Sequence, residues 1–140
     1  MILSTIRHIL MHDFTVQTLK PGVFIGIRPQ KHRGLAAVLH QISGVRDRHF
    51  GGASGWVRGT VQIDAWAPEL SDAHALADAI RMTLDDRSGD EQGVELAYLE
   101  LEDQRSLKVT PPKGLDAPKW FGVSSDYRYA LIEAVANPNT

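Results

Sequence analysis

The segment at residues 56–66 alternates between apolar and polar positions. Its apolar positions are Val57, Gly59, Val61, Ile63 and Ala65, and its polar positions are Arg58, Thr60, Gln62 and Asp64. Because successive side chains of a strand point to opposite faces of a sheet, this period of two predicts a half-buried antiparallel strand. Pro68 is expected to end the strand, since proline lacks the backbone N–H that pairs with a neighbour.

A helix is predicted directly after this strand, over residues 70–86. Its apolar residues recur every three or four positions and are Ala73, Leu76, Ala77, Ile80 and Leu84. Ser71 is the expected N-cap, because its hydroxyl can accept a hydrogen bond from an unpaired N–H of the first turn. Gly89 is the expected stop. The same spacing predicts a shorter amphipathic helix over residues 2–12.

Extended patterns predict the remaining strands, at residues 23–28, 35–43, 94–103 and 120–134. The apolar run at 35–43 is also compatible with a helix, since short runs are ambiguous. The alternation slips near Tyr98 and Leu99, which indicates a bulge, and residues 107–109 are expected to continue that strand after a turn. The element order indicates an α+β fold, with a mostly antiparallel β-sheet and two helices packed on one face.

Two segments between these elements are rich in glycine or proline. Residues 44–55 hold four glycines in twelve positions, which predicts a mobile loop or the long tip of a hairpin. A phosphate-binding loop is disfavoured, because the segment leads into a strand and no Gly-Lys-Ser/Thr follows. Residues 110–119 hold three prolines and one glycine and are predicted to form a loop.

Length and composition indicate a single domain spanning residues 1–140, with an ordered core at 1–136 and frayed residues at 137–140. The absence of cysteine excludes disulfides, thiolate metal sites and a cysteine nucleophile. No apolar run approaches the length that spans a bilayer, and the first residues do not resemble a secretory signal. No contact with a membrane is therefore expected.

The distribution of charge is uneven along the chain. Residues 1–60 carry eight Lys/Arg against two Asp/Glu, whereas residues 61–140 carry seven Lys/Arg against fifteen Asp/Glu. The two halves can interleave on one folded surface, so that the charges scatter. Alternatively, the protein has a basic and an acidic face, which would suit head-to-tail contact between copies and closure into a ring.

The sequence offers no set of residues with a catalytic signature. His8 and His12 have the spacing of helical metal ligands, but the glutamate of a His-Glu-x-x-His motif is missing, which favours a polar helix face. Carboxylates at 85–86 and 100–103 are expected on a solvated surface, and no serine lies in a Gly-x-Ser-x-Gly elbow. We therefore predict no catalytic, metal-binding or cofactor-binding residues, and no enzyme activity.

Candidate contact residues gather around the glycine-rich segment and are Arg46, Arg48, His49, Phe50 and Arg58. Arginines and an aromatic ring can bind nucleic acid through phosphate pairing and stacking. The same residue types are favoured in protein interfaces. Because the chain as a whole is slightly acidic, a protein neighbour is the preferred interpretation.

The sequence resembles the tail-completion, or tail-terminator, proteins of long-tailed bacteriophages and gene transfer agents. The resemblance is carried by Gly-Thr-Val-Gln-Ile-Asp-Ala-Trp-Ala-Pro at 59–68, followed by Ser-Asp-Ala-His-Ala-Leu-Ala-Asp-Ala-Ile at 71–80. An early strand that ends in a proline-containing segment, at 23–30, and a closing strand at 122–131 are also similar to that family. The segment at 31–43 departs from it, because the family commonly has a proline-rich entry and a strand there.

The resemblance implies a structural role without a cofactor. It implies a ring, usually of six copies, that caps the head-proximal end of the tail tube and joins it to the head–tail connector. The expected partners are copies of the chain, the major tail tube protein and the connector, with possible passage of DNA through the lumen. The expected location is the virion tail, after assembly in the host cytoplasm. Two alternatives stay open: a small nucleic-acid-binding module that uses residues 46–50, and an enzyme without a linear motif.

Overall fold

A computed structural model of the protein describes residues 2–27, 32, 34–49, 52–109 and 120–132, with the backbone alone at 47–49, 52–54 and 108–109. In chain order its elements are α1 (Ile2–His12), α2 (Phe14–Thr18), β1 (Gly22–Ile25), β2 (Ala36–His49), β3 (Gly52–Ala67), α3 (Leu70–Leu84), β4 (Gly89–Glu91), β5 (Val94–Val109) and β6 (Trp120–Ile132). No helix in these described ranges is long and apolar enough to cross a membrane.

The strands form one six-stranded sheet in the order β1-β2-β3-β6-β5-β4. The short edge strand β1 runs parallel to β2, and the other neighbouring pairs are antiparallel. The α+β class and the mostly antiparallel sheet are therefore confirmed. The described residues include a third helix, α2, which the pattern missed because five residues are too few for a helical period. Asp13 caps α2 by accepting a hydrogen bond from Val16 N at 2.9 Å.

One hydrophobic core lies between the helices and one face of the sheet, here called the helix face. The largest apolar side chains of this core that are less than 2% exposed include Ile6 and Leu10 of α1 and Leu76, Ile80 and Leu84 of α3. They pack with sheet residues such as Val61, Leu99 and Tyr127. The alternation of β3 is confirmed, since Val57, Val61, Ile63 and Ala65 all point into this core.

The helix and strand ends correct several sequence predictions. α3 begins at Leu70, after Glu69, which makes no side-chain capping bond, so the prediction of Ser71 as N-cap was wrong. The helix ends at Leu84, because Asp85 is extended at ψ 133°, and Gly89 instead opens β4. β5 is one strand with the predicted irregularity between Leu96 and Tyr98 and a second between Leu101 and Asp103. The predicted loop at 110–119 lies outside the described residues.

Of the two alternatives predicted for residues 44–55, the described positions form the hairpin and not the mobile loop. β2 continues to His49 and β3 begins at Gly52, so most of the segment belongs to a long hairpin. Pairing between the two strands stabilises extended structure there despite the glycines. Gly44 and Gly59 are directly paired, and a Cβ on Gly59 would lie 2.1 Å from Ser43 O. Glycine thus allows the two backbones to approach closely beside an irregularity between Gln41 and Ser43.

Candidate interaction surface

The second face of the sheet, here called the open face, carries the polar positions of β3. Residues that pair directly across neighbouring strands share a face. Asp64 pairs with Val38 of β2 and Ser124 of β6, and Arg58 pairs with Val45 and Ala130. Three apolar residues on this face are buried without belonging to the helix-side core. They are Val38, Ala130 and Trp120. The open face is therefore a second packed surface, distinct from the core.

One end of the open face contains a hollow of about 310 Å³, the base hollow. It is lined by Gly26, Ile27, Val38, His40, Asp64, Trp66 and Trp120. The alternation of β3 directs Asp64 and Trp66 to this side, away from Ile63 and Ala65 in the core. The lining combines two indole rings and aliphatic groups with one carboxylate, which is a chemistry suited to a cationic group.

Asp64 is the buried charged residue of the base hollow, with only 7% of its surface exposed. Gln62 Nε2 donates to both of its carboxylate oxygens, at 3.0 Å to Oδ1 and 3.2 Å to Oδ2. His40 Nε2 lies 3.6 Å from Oδ2. A carboxylate has about four acceptor positions, so these neighbours leave capacity for a further donor.

The opposite end of the open face has a second hollow of about 290 Å³, the tip hollow. It is lined by Ser43, Val45, Arg58, Gly59, Thr60 and Tyr98. Arg58 is exposed, and the large apolar residues nearby, Ile42, Val45 and Trp56, are 57%, 59% and 38% exposed. Arginine, tyrosine, tryptophan and exposed aliphatic side chains are the residue types that interfaces favour.

Two ion pairs across β5 and β6 lie on the open face between the two hollows. Arg128 donates to Glu100 Oε2 from Nε at 2.9 Å and from Nη2 at 2.6 Å, and this bonding raises the pKa of Arg128. Arg105 Nη1 lies 3.1 Å from Asp126 Oδ2, and its hydrogen bond to Asp126 raises the pKa of Arg105. The charges in this band therefore compensate one another.

The five predicted contact residues all belong to the distal part of the β2–β3 hairpin or adjoin it. Arg46 and Arg58 are both exposed, but they lie on opposite faces, because Arg46 pairs with the core residue Val57. Arg48 and His49 are in β2, where only the backbone is described, and Phe50 lies outside the described residues. The structure thus places Arg58 on the open face and Arg46 on the helix side.

Sequence reasoning missed the base hollow. The signal available was Asp64 and Trp66 at alternate positions of one strand, but the strands that supply His40 and Trp120 are distant in sequence.

The two histidines of α1 do not form a chelating pair: their rings stack at 4.1 Å, and His12 Nδ1 bonds to His8 O at 2.8 Å. Among the described residues, no three His, Cys, Asp or Glu side chains come close enough to hold a metal ion.

Comparison with known families gives a match that extends over most of the chain. The model of the family described as "Tail completion protein gp17" matches residues 4–129. The chain belongs to this tail completion family. Membership makes the protein a structural component of a phage-type virion tail, in agreement with the resemblance stated above. The match includes the β2–β3 hairpin, α3 and most of β6.

Solved structures support the fold of this tail completion protein. A chain from a structure described as "Virion of native gene transfer agent (GTA) particle" superposes with a TM-score of 0.71. The two share 16% sequence identity, and the alignment covers 93% of each chain. At that identity the similarity shows a common fold. A comparison with curated protein sequences finds no match.

Proposed function

We propose that this protein assembles with copies of itself into a ring that caps the head-proximal end of the tail tube and joins it to the head–tail connector. The observation that carries the proposal is the family match over residues 4–129. A tail that stops growing at a defined length needs a subunit that binds the tube end and offers the next subunit of tube no equivalent surface. A closed ring of identical subunits meets this need.

The open face offers two contact surfaces for copies of the chain. Its two hollows differ in chemistry: the base hollow presents a carboxylate among indole rings, and the tip hollow presents an arginine beside exposed apolar residues. A ring is built from such unlike surfaces, because each subunit contributes a different patch to each of its two interfaces. We propose six copies, the number that the family resemblance implies.

A structural role without catalysis is part of the proposal. Two pairs of oppositely charged side chains on the open face, Arg128–Glu100 and Arg105–Asp126, compensate each other's charge. This compensation also suits a surface past which DNA moves without binding tightly, because strong DNA binding requires an excess of Lys and Arg near the phosphates.

The test is assembly with the major tail tube protein. Native mass spectrometry of the purified protein, followed by electron microscopy after mixing with tube protein, should detect rings of six copies at one end of each tube. The number of tubes longer than the natural tail should fall as this protein is added. A protein that stays monomeric and neither binds tube ends nor limits tube length would contradict the proposal. Tight, steeply salt-dependent binding to DNA would instead support the nucleic-acid-binding alternative.

A further inference from the structure

We propose that the base hollow binds an arginine side chain of another protein of the tail, whose guanidinium pairs with Asp64. This inference rests on the proposed function and names the partner of one contact surface. Of the two hollows on the open face, it assigns the base hollow to a neighbouring protein along the tail instead of to a copy of the chain.

The lining of the base hollow has the chemistry that recognises a guanidinium. Trp66 and Trp120 contribute indole rings, and a planar cation is attracted to the face of such a ring. Asp64 is 7% exposed and accepts two hydrogen bonds from Gln62, which leaves acceptor positions on its carboxylate. His40 Nε2 is too far away, at 3.6 Å, to fill one of these positions with a hydrogen bond. A guanidinium can donate two parallel bonds to one carboxylate.

The sheet around the hollow has an excess of negative charge. Two rows of directly paired residues cross four strands at this end, and they are Val38–Asp64–Ser124–Arg105 and His40–Gln62–Asp126–Asp103. These rows contain three carboxylates and one arginine. Two of their oxygen atoms, Ser124 Oγ and Asp126 Oδ1, are buried and have no hydrogen-bond partner among the described residues. A cation in the hollow would compensate this excess of charge and acceptors.

The surroundings of the hollow favour an arginine that belongs to a different protein. The arginines that the structure describes on the open face already have interactions within the protomer, and they are Arg58, Arg105 and Arg128. A copy of the chain would have to release one of these groups in order to insert it. Ile27 lines the hollow and is 78% exposed, so an occupant also meets an aliphatic surface. A protein segment with apolar residues beside its arginine covers that surface, whereas a free small cation does not.

The experiment titrates the full-length protein with the peptide acetyl-Leu-Arg-Leu-amide and with its neutral counterpart, in which citrulline replaces arginine. The chain has three tryptophans, so in a Trp56→Phe background the indole fluorescence comes from the hollow residues Trp66 and Trp120. The variants are Asp64→Asn and the matched control Asp103→Asn. Asp103 loses the same charge on the same face, but its side chain is 66% exposed and does not line the hollow.

The arginine peptide should bind at least about tenfold more tightly than the citrulline peptide, and Asp64→Asn should remove most of that difference. Asp103→Asn should bind the arginine peptide within about twofold of the wild type, because a pair of exposed charges contributes little. The citrulline peptide tests the charge without any change to the protein, so the test stays valid if Asp64→Asn fails to fold. Equal binding of the two peptides, or equal binding by wild type and a folded Asp64→Asn variant, would overturn the inference. Tighter binding of spermidine than of the arginine peptide would overturn it too, in favour of a free cation.

Assembly of the same variants separates this inference from the proposed function. With tube protein and connector present, Asp64→Asn should still form rings but should join at least one of these neighbours less completely than Asp103→Asn does. Loss of the ring itself in a folded Asp64→Asn variant would assign the hollow to a second copy and overturn the inference. Wild-type protein that caps tubes and does not distinguish the peptides would overturn the inference alone. Wild-type protein that binds the arginine peptide but forms no ring and caps no tube would overturn the proposed function.

Discussion

The indole ring of Trp66 lies directly over Gly122, and a Cβ built on that glycine would come within 2.7 Å of the ring. The two residues pair across β3 and β6 on the open face. The absence of a side chain at residue 122 therefore allows Trp66 to lie flat on the sheet and form a wall of the base hollow.

Substitution Gly122→Ala should displace Trp66 and destabilise the fold. We expect the free energy of unfolding to fall by about 1–3 kcal/mol, as for other overpacked sites. Chemical denaturation and tryptophan fluorescence would measure the two effects. The control is Gly34→Ala, where an added Cβ has no neighbour among the described residues closer than 3.8 Å. Equal stability of the two variants would show that Trp66 does not depend on the glycine.

Gly59 and Gly44 should respond differently to alanine, although they pair directly across the hairpin. A Cβ on Gly59 would meet backbone, Ser43 O at 2.1 Å, whereas a Cβ on Gly44 would meet the flexible end of Gln41. Because backbone cannot move aside as a side chain can, Gly59→Ala should lower the free energy of unfolding by more than about 2 kcal/mol and Gly44→Ala by less. Thermal denaturation of both variants tests this order, and the reverse order would contradict the hairpin register.

The Tyr127 hydroxyl is buried in the core and has no hydrogen-bond partner among the described residues. Replacing it with phenylalanine removes a polar group that lost its water on folding. We expect Tyr127→Phe to change the free energy of unfolding at neutral pH by no more than about 1 kcal/mol, in either direction. Urea denaturation would measure this difference. A loss of several kcal/mol would reveal a partner that the described residues do not include.

The same side chain should make stability fall at alkaline pH. Burial raises the pKa of Tyr127 well above its ordinary value. The unfolded chain then ionises at a lower pH than the folded protein, so the contribution of this residue is fully present below about pH 10 and is lost as pH rises beyond it. Chemical denaturation at a series of pH values from 8 upward would measure this. The free energy of unfolding should decline less steeply with pH in Tyr127→Phe than in the wild type. Parallel declines for the variant and wild type would contradict this account.

Asp85 connects the end of α3 to strand β5, since its Oδ1 accepts a hydrogen bond from Leu101 N at 2.9 Å. This N–H lies beside the second irregularity of β5. Asp85→Ala should cost about 1–3 kcal/mol, because it leaves a partly buried N–H without an acceptor. Asp85→Asn keeps an acceptor oxygen and should cost less. Hydrogen exchange at Leu101 measures the bond directly, and unchanged exchange in Asp85→Ala would show that the bond is absent in solution.

Local patterns predicted those parts of the fold that neighbours in sequence determine. The alternation of β3 and the helical spacing of α3 each indicate one buried face, and both faces pack in the core. Local patterns left two alternatives for the distal part of the β2–β3 hairpin, a loop and a hairpin tip. Glycines at 44 and 52 favour a loop locally, but pairing of β2 with β3 keeps both positions in strands, whereas Gly55 has a positive φ of 86°.

The open face shows a different limit of sequence-based prediction. Asp64 is an ordinary solvent-facing polar residue by alternation, yet it is nearly buried because Trp66, Trp120 and Val38 surround it. Those residues come from three strands whose order in the sheet does not follow the sequence. Arg58, in contrast, was predicted to be a contact residue from its position beside the glycine-rich segment, and the structure exposes it on the same face as Asp64.

The most direct test of the central claim is electron microscopy of tail tubes assembled from tube protein in the presence of this protein. We predict a single ring of six copies at one end of each tube, with tube growth stopped at that end. Tubes that grow to the same lengths with bare ends, at protein concentrations well above that of the tube ends, would contradict the claim that this protein terminates the tail.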